Sequence, residues 1–118
     1  MHRGEDVEAR VGVAELTVTV TPGTPPQVTL SGEVDLATAP DFERAVNSLF
    51  SQGTASLAVD LSGVSYLDST GVSVLMRAVK QCRDRGGDLS IVGVSDRALR
   101  VMKLLSLDRM VRLYPQGP

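Results

Sequence analysis

The chain has 118 residues, of which 42% are hydrophobic and 22% charged, with a formal net charge of −2. That length and balance suit one soluble globular domain with a real core, and so small a net charge argues against a nucleic-acid partner. A single cysteine, Cys82, excludes an intrachain disulfide and fits a reducing compartment; no apolar run reaches the roughly 18 residues that span a bilayer.

In chain order, Met1–Arg10 is charged and lacks an apolar signal core, so residues 1–10 read as a flexible lead-in to a cytoplasmic protein. Val11–Val20 reads as a strand, with apolar Leu16, Val18 and Val20 alternating against threonines. Pro22-Gly23-Thr24-Pro25-Pro26 is a turn cluster. Gln27–Gly32 follows as a second strand, and the short connection implies an antiparallel pair. Thr38 stands as cap to a helix with Pro40 in its first turn, and Phe42, Ala45, Val46, Leu49 and Phe50 supply one apolar face. Gly53 ends that helix.

Ala55–Leu61 reads as a buried strand, and Ser62–Asp68 as the segment leading out of it. A second helix runs from Ser69 to about Arg85, with Val72, Leu75, Met76, Val79 and Cys82 in one stripe and Gly86-Gly87 as its stop. Leu89–Val94 is another strand. Ser95 caps a third helix with Ala98, Val101, Met102 and Leu105 on one face, and Met110–Leu113 forms a last short strand. The order β-β-α-β-α-β-α-β implies an α/β fold with a mixed sheet: an antiparallel N-terminal hairpin, then parallel strands joined by helical crossovers.

Charge is uneven along the chain. Residues 1–76 hold ten acidic and three basic side chains, or −7, whereas residues 77–118 hold four acidic and nine basic, or +5. Solvated faces of opposite sign and a polar protein-docking surface both fit this division.

Most site chemistries lack their residues. The sole histidine, His2, lies in the lead-in, and Cys82 falls on a core stripe, so no metal-ligand spacing exists. Without a histidine in the folded part, the usual hydrolase triads have no base. Neither a phosphate loop ending in Gly-Lys-Ser/Thr nor a Gly-x-Gly-x-x-Gly run occurs. One polar cluster remains, Asp68-Ser69-Thr70-Gly71, where strand gives way to helix. Capping by Asp68 or Ser69 accounts for the first two residues. It does not account for Gly71, which costs about 1 kcal/mol relative to alanine inside a helix; a glycine there points to a close approach to the backbone.

The run Val59-Asp60-Leu61-Ser62-Gly63-Val64-Ser65-Tyr66-Leu67-Asp68-Ser69-Thr70-Gly71-Val72 resembles the signature of STAS domains, most closely the bacterial anti-sigma factor antagonists. Leu30-Ser31-Gly32-Glu33-Val34-Asp35-Leu36-Ala37-Thr38-Ala39-Pro40 resembles the Gly-Glu-x-Asp segment that precedes the first helix of that family. The resemblance covers residues 11–114 and implies a single STAS-type domain. It implies a regulatory protein, not an enzyme, with no cofactor. The unphosphorylated form would bind an anti-sigma factor that is also a serine kinase, releasing the sigma factor. Phosphorylation on Ser69 would switch binding off, and a PP2C-type phosphatase would reset it. Gly32, Glu33, Asp35, Asp68, Thr70, Gly71 and Ser73 would form the switch surface, with Ser73 standing where the family often has glycine. Neither nucleic acid nor membrane is a direct partner in this reading. The alternative within the family is a STAS binding subunit of a lipid-transport ATPase, or a sensory scaffold, without a phosphorylation cycle.

Overall fold

The computed structural model describes residues 15–114; the expected lead-in, residues 1–10, and the first part of the expected first strand, residues 11–14, lie outside them. The elements are β1 (Leu16–Thr21), β2 (Gln27–Val34), α1 (Ala39–Ser51), β3 (Leu57–Leu67), α2 (Ser69–Asp84), β4 (Leu89–Val94), α3 (Asp96–Leu104), a 3-10 turn (Leu107–Arg109) and β5 (Arg112–Leu113). The strands form one sheet in the order β1-β2-β3-β4-β5. Only β1 and β2 are antiparallel; every later pair is parallel. The expected α/β order and mixed sheet are therefore present.

Alternation places Val28 and Leu30 of β2, Leu57, Val59 and Leu61 of β3, and Leu89 and Ile91 of β4 in the core. Phe42, Val46, Leu49 and Phe50 of α1 and Val72, Leu75, Val79 and Cys82 of α2 cover them, and α1 packs against α2. Burial of each such aliphatic or aromatic side chain contributes about 1.5–3 kcal/mol, so this layer dominates the fold's stability. The third helix packs on β3 through Ala98 and Met102.

Three differences from the sequence reading bear on the core or the site. First, β3 continues to Leu67 instead of leading out at Ser62. Pairing with β4 stops at Leu61, while pairing with β2 runs on to Leu67 across two register shifts. Those shifts break the period-two pattern, leaving Val64 and Leu67 buried among exposed Ser62, Gly63, Ser65 and Tyr66. Second, β2 extends past Gly32 to Val34. Gly32 has φ +116°, and a Cβ on it would lie 2.4 Å from the Glu15 carbonyl oxygen, so glycine lets the strand pass β1 and continue. Third, Leu105 is 52% exposed. The helix stops at Leu104, and Ser106 turns the chain at φ 59°, which takes Leu105 off the buried face.

Parallel pairing of β2, β3 and β4 brings their C-terminal ends to one edge of the sheet. The connections into α1, α2 and α3 all leave from that edge, which is where parallel α/β sheets place their sites.

Candidate functional site

Asp68 closes β3 and opens α2. Its backbone N–H donates to the Val34 carbonyl at 3.1 Å, continuing the ladder with β2. Its own backbone is extended, and its Oδ1 accepts from the N–H groups of Thr70 (2.9 Å) and Gly71 (3.1 Å). Asp68 is thus the N-cap, and Ser69 is the first helical residue. The Ser69 side chain is exposed and hydrogen-bonds to no other group among the described residues. Capping by the serine hydroxyl, one of the two sequence readings, does not occur; a carboxylate at the preceding position takes the donors first.

Thr70 is half-buried, and Gly71 is buried. A Cβ on Gly71 would meet Val34 Cγ1 at 2.6 Å and Leu67 Cδ1 at 2.8 Å. The close approach that Gly71 permits is by the protein's own core. Ser73 is exposed and, four residues on, shares the helix face of Ser69.

The β2–α1 connection lies alongside. Register pairs Glu33 with Tyr66 and Val34 with Leu67, so the exposed Glu33 and Tyr66 sit side by side while Val34 and Leu67 point inward. Asp35 Oδ1 accepts from the N–H groups of Ala37 (3.0 Å) and Thr38 (3.1 Å). Thr38 is fully buried; its Oγ1 donates to the Glu33 carbonyl at 2.6 Å and accepts from the Asp35 N–H at 3.0 Å. The expected capping of α1 by the Thr38 hydroxyl is absent, because that hydroxyl closes the loop behind it.

The structure therefore brings Gly32, Glu33 and Asp35 to the same edge as Asp68, Ser69, Thr70, Gly71 and Ser73. Sequence reasoning passed over Thr38 as the loop's tie, and Leu36 and Tyr66, which are 76% and 44% exposed. A leucine in the short turn between Asp35 and Thr38 was the available signal.

Chemically, the edge offers a free hydroxyl and carboxylates; the described residues contain no histidine. Nor do three potential metal ligands gather anywhere among them. Cys82 is buried away from this edge, and burial pushes its thiol up to about 11. A cleft of about 460 Å³ between the Pro22–Pro26 turn and the C-terminal half of α1, lined by Val20, Ala45, Leu49 and Gln52 among others, holds no titratable group and lies at the opposite edge.

Residues 18–113 match the protein family described as Mlab, STAS domain. The chain belongs to the STAS-domain family. Among STAS proteins, the anti-sigma-B factor antagonist of Staphylococcus aureus (strain NCTC 8325 / PS 47) is 32% identical over 87 residues, 74% of this chain and 81% of the relative. The anti-sigma-B factor antagonist of Listeria monocytogenes is 34% identical over 84 residues, 71% of this chain and 74% of the relative. The crystal structure of an anti-sigma factor antagonist from Mycobacterium paratuberculosis superposes with a TM-score of 0.77 at 29% identity, over 86% of this chain and 87% of that one. This STAS domain thus falls with the anti-sigma factor antagonists. No helix among its described residues is long and apolar enough to cross a membrane.

Proposed function

We propose that this chain is an anti-sigma factor antagonist whose binding is switched by phosphate on Ser69. The observation that carries the reading is the division of labour between adjacent residues: Asp68 holds the helix end, and the exposed Ser69 hydroxyl is free. In this reading the unphosphorylated edge, built from Glu33, Asp35, Asp68, Ser69 and Ser73, binds a cytoplasmic anti-sigma factor and releases the sigma factor. The anti-sigma factor is also a serine kinase. It transfers the γ-phosphoryl group of ATP: a bond forms between Ser69 Oγ and phosphorus, the bond to ADP breaks, and the hydroxyl proton passes to a base of the kinase. A PP2C-type phosphatase later hydrolyses the ester. The chain itself supplies a surface and an acceptor, not catalysis.

The physical effect of phosphate follows from the cap. A helix N-terminus ordinarily welcomes an anion through its free N–H groups. Here Asp68 already occupies those of Thr70 and Gly71. The phosphate's −1.5 to −2 charge therefore adds to a neighbouring carboxylate and finds few unused backbone donors. Placed in an interface, such an anion costs several kcal/mol unless the partner supplies matched cations.

The test is incubation with each purified anti-sigma factor kinase of the host and ATP, followed by mass mapping. Phosphate on Ser69, with release of the bound kinase, is the expected result. Phosphate on the half-buried Thr70 would overturn the assignment. Stable binding to transporter subunits, with Ser69 never modified, would favour the alternative reading, a STAS binding subunit of a lipid-transport ATPase.

A further inference from the structure

Leu36 is 76% exposed. Single exposed leucines are ordinary on protein surfaces, but Leu36 does not sit on a loose loop. Its turn is closed on both sides: Ala37 and Thr38 donate to Asp35 Oδ1, Asp35 donates to Thr38 Oγ1, and that fully buried hydroxyl donates to the Glu33 carbonyl. The side chain is held outward before any partner arrives, so little ordering would be needed on binding. A second apolar group stands at the same edge: Tyr66, 44% exposed, is the register partner of Glu33 on the outer side of β2 and β3. Around this pair acidic groups predominate: Glu33, Asp35, Asp60 and Asp68 lie on the same segments, while Asp41 and Glu43 are paired with Arg44 and Arg77.

Pre-placed apolar groups framed by mainly acidic side chains describe a protein-docking surface, in which a few central anchors carry most of the affinity and the charged rim steers encounter. We infer that Leu36 is the apolar anchor by which this chain grips its anti-sigma factor, seating in a hydrophobic pocket that the partner rims with lysine or arginine, with Tyr66 packing at the pocket's edge. Ser69 then decides whether the complex forms, and Leu36 decides how tightly. The inference rests on the antagonist reading given above.

The test titrates the unphosphorylated full chain and its Leu36→Ala and Leu36→Met variants against a purified anti-sigma factor kinase of the host, and follows Ser69 phosphorylation at saturating ATP. Leu36→Ala should weaken the complex about tenfold or more and raise KM in parallel, with kcat within about twofold, while Leu36→Met stays near the parent. Melting temperatures should agree among the three, because the side chain is outside the core. Parent-like affinity in Leu36→Ala would overturn the inference while leaving the antagonist reading standing. A matching fall in melting temperature would overturn it too, by assigning Leu36 a folding role. Failure of the parent chain itself to bind any such kinase would sink the antagonist reading, and this inference with it.

Discussion

Gly71 of α2 lies directly against Val34 at the end of β2, so close that a Cβ on the glycine would be 2.6 Å from Val34 Cγ1. This contact locks the start of the Ser69 helix onto the strand that leads to Asp35. Intrinsic helix propensity favours Gly71→Ala by about 1 kcal/mol. Packing opposes it, because the side chains that would have to shift, Val34 and Leu67, are both buried in the core. Overpacking of a core site typically costs about 1–3 kcal/mol, so the net effect should be destabilisation. Denaturant melts of Gly71→Ala would measure it; a more stable variant would refute the packing argument.

Capping should separate Asp68 from Ser69. Asp68→Ala removes the acceptor for two backbone N–H groups, which should cost about 0.5–2 kcal/mol. Ser69→Ala removes a hydroxyl that bonds to nothing described, so its stability should lie within about 0.5 kcal/mol of the parent, as for other surface changes. Equal losses in the two variants, by chemical denaturation, would mean that the serine shares the capping.

The same pair of positions predicts a divergence between folding and binding. On the proposed reading, Ser69→Ala brings no charge and should bind the anti-sigma kinase like the parent, yet could not be switched off, so sigma-dependent transcription should stay high. Ser69→Asp puts a carboxylate beside Asp68. The helix dipole favours it by about 0.3–1 kcal/mol, and the adjacent carboxylate opposes it, so its stability should remain close to that of the alanine variant. Its binding should still fall, though less than with true phosphate, because aspartate carries less charge and fewer oxygens. Equal affinities of the aspartate and alanine variants would place Ser69 outside the interface.

Thr38 gives a test of loop rigidity. Thr38→Val keeps the shape but leaves the Glu33 carbonyl and the Asp35 N–H without the partner they share. Losing a buried hydrogen-bonding partner costs about 1–3 kcal/mol. Hydrogen exchange at Asp35, Ala37 and Thr38 should accelerate in the variant, while the core strands keep their protection relative to global stability.

Cys82 should be inert until the protein opens. It is 0% exposed, and desolvation, with the Asp88 carboxylate adding to it, raises its thiol from 9.0 to about 11. A native thiol reagent should therefore label it only at the rate of unfolding. The folded state keeps its proton where the unfolded chain has lost it, so this contribution to stability is whole below about pH 9 and is lost as pH climbs towards about 11. Melts across that range should show a steeper alkaline decline in the parent than in Cys82→Ala.

Much of this molecule was legible in the order of its residues. Phe42, Val46, Leu49 and Phe50 recur at helical spacing, Leu57, Val59 and Leu61 alternate, and glycines or a capping serine mark where elements stop and start; these are local patterns, and burial of the apolar face follows from them alone. The Asp68-Ser69-Thr70-Gly71 and Gly32-Glu33-Val34-Asp35 segments also stood out in the sequence as one family's signature. What the linear order left open was every choice made between segments. Either Asp68 or Ser69 could cap α2, and the carboxylate won because Asp68 is held extended, with its N–H on the Val34 carbonyl, so that its side chain reaches the helix first. Gly71 looked like room for a visitor, whereas Val34 and Leu67 fill it. β3 ran on to Leu67 because β2, through two register shifts, supplied pairing that no alternation announces. Thr38 served the loop behind it and not the helix ahead, and so left Leu36 outside. Hydrogen-bond donors and empty volume are shared among residues far apart in sequence, and only the folded chain decides which neighbour takes them.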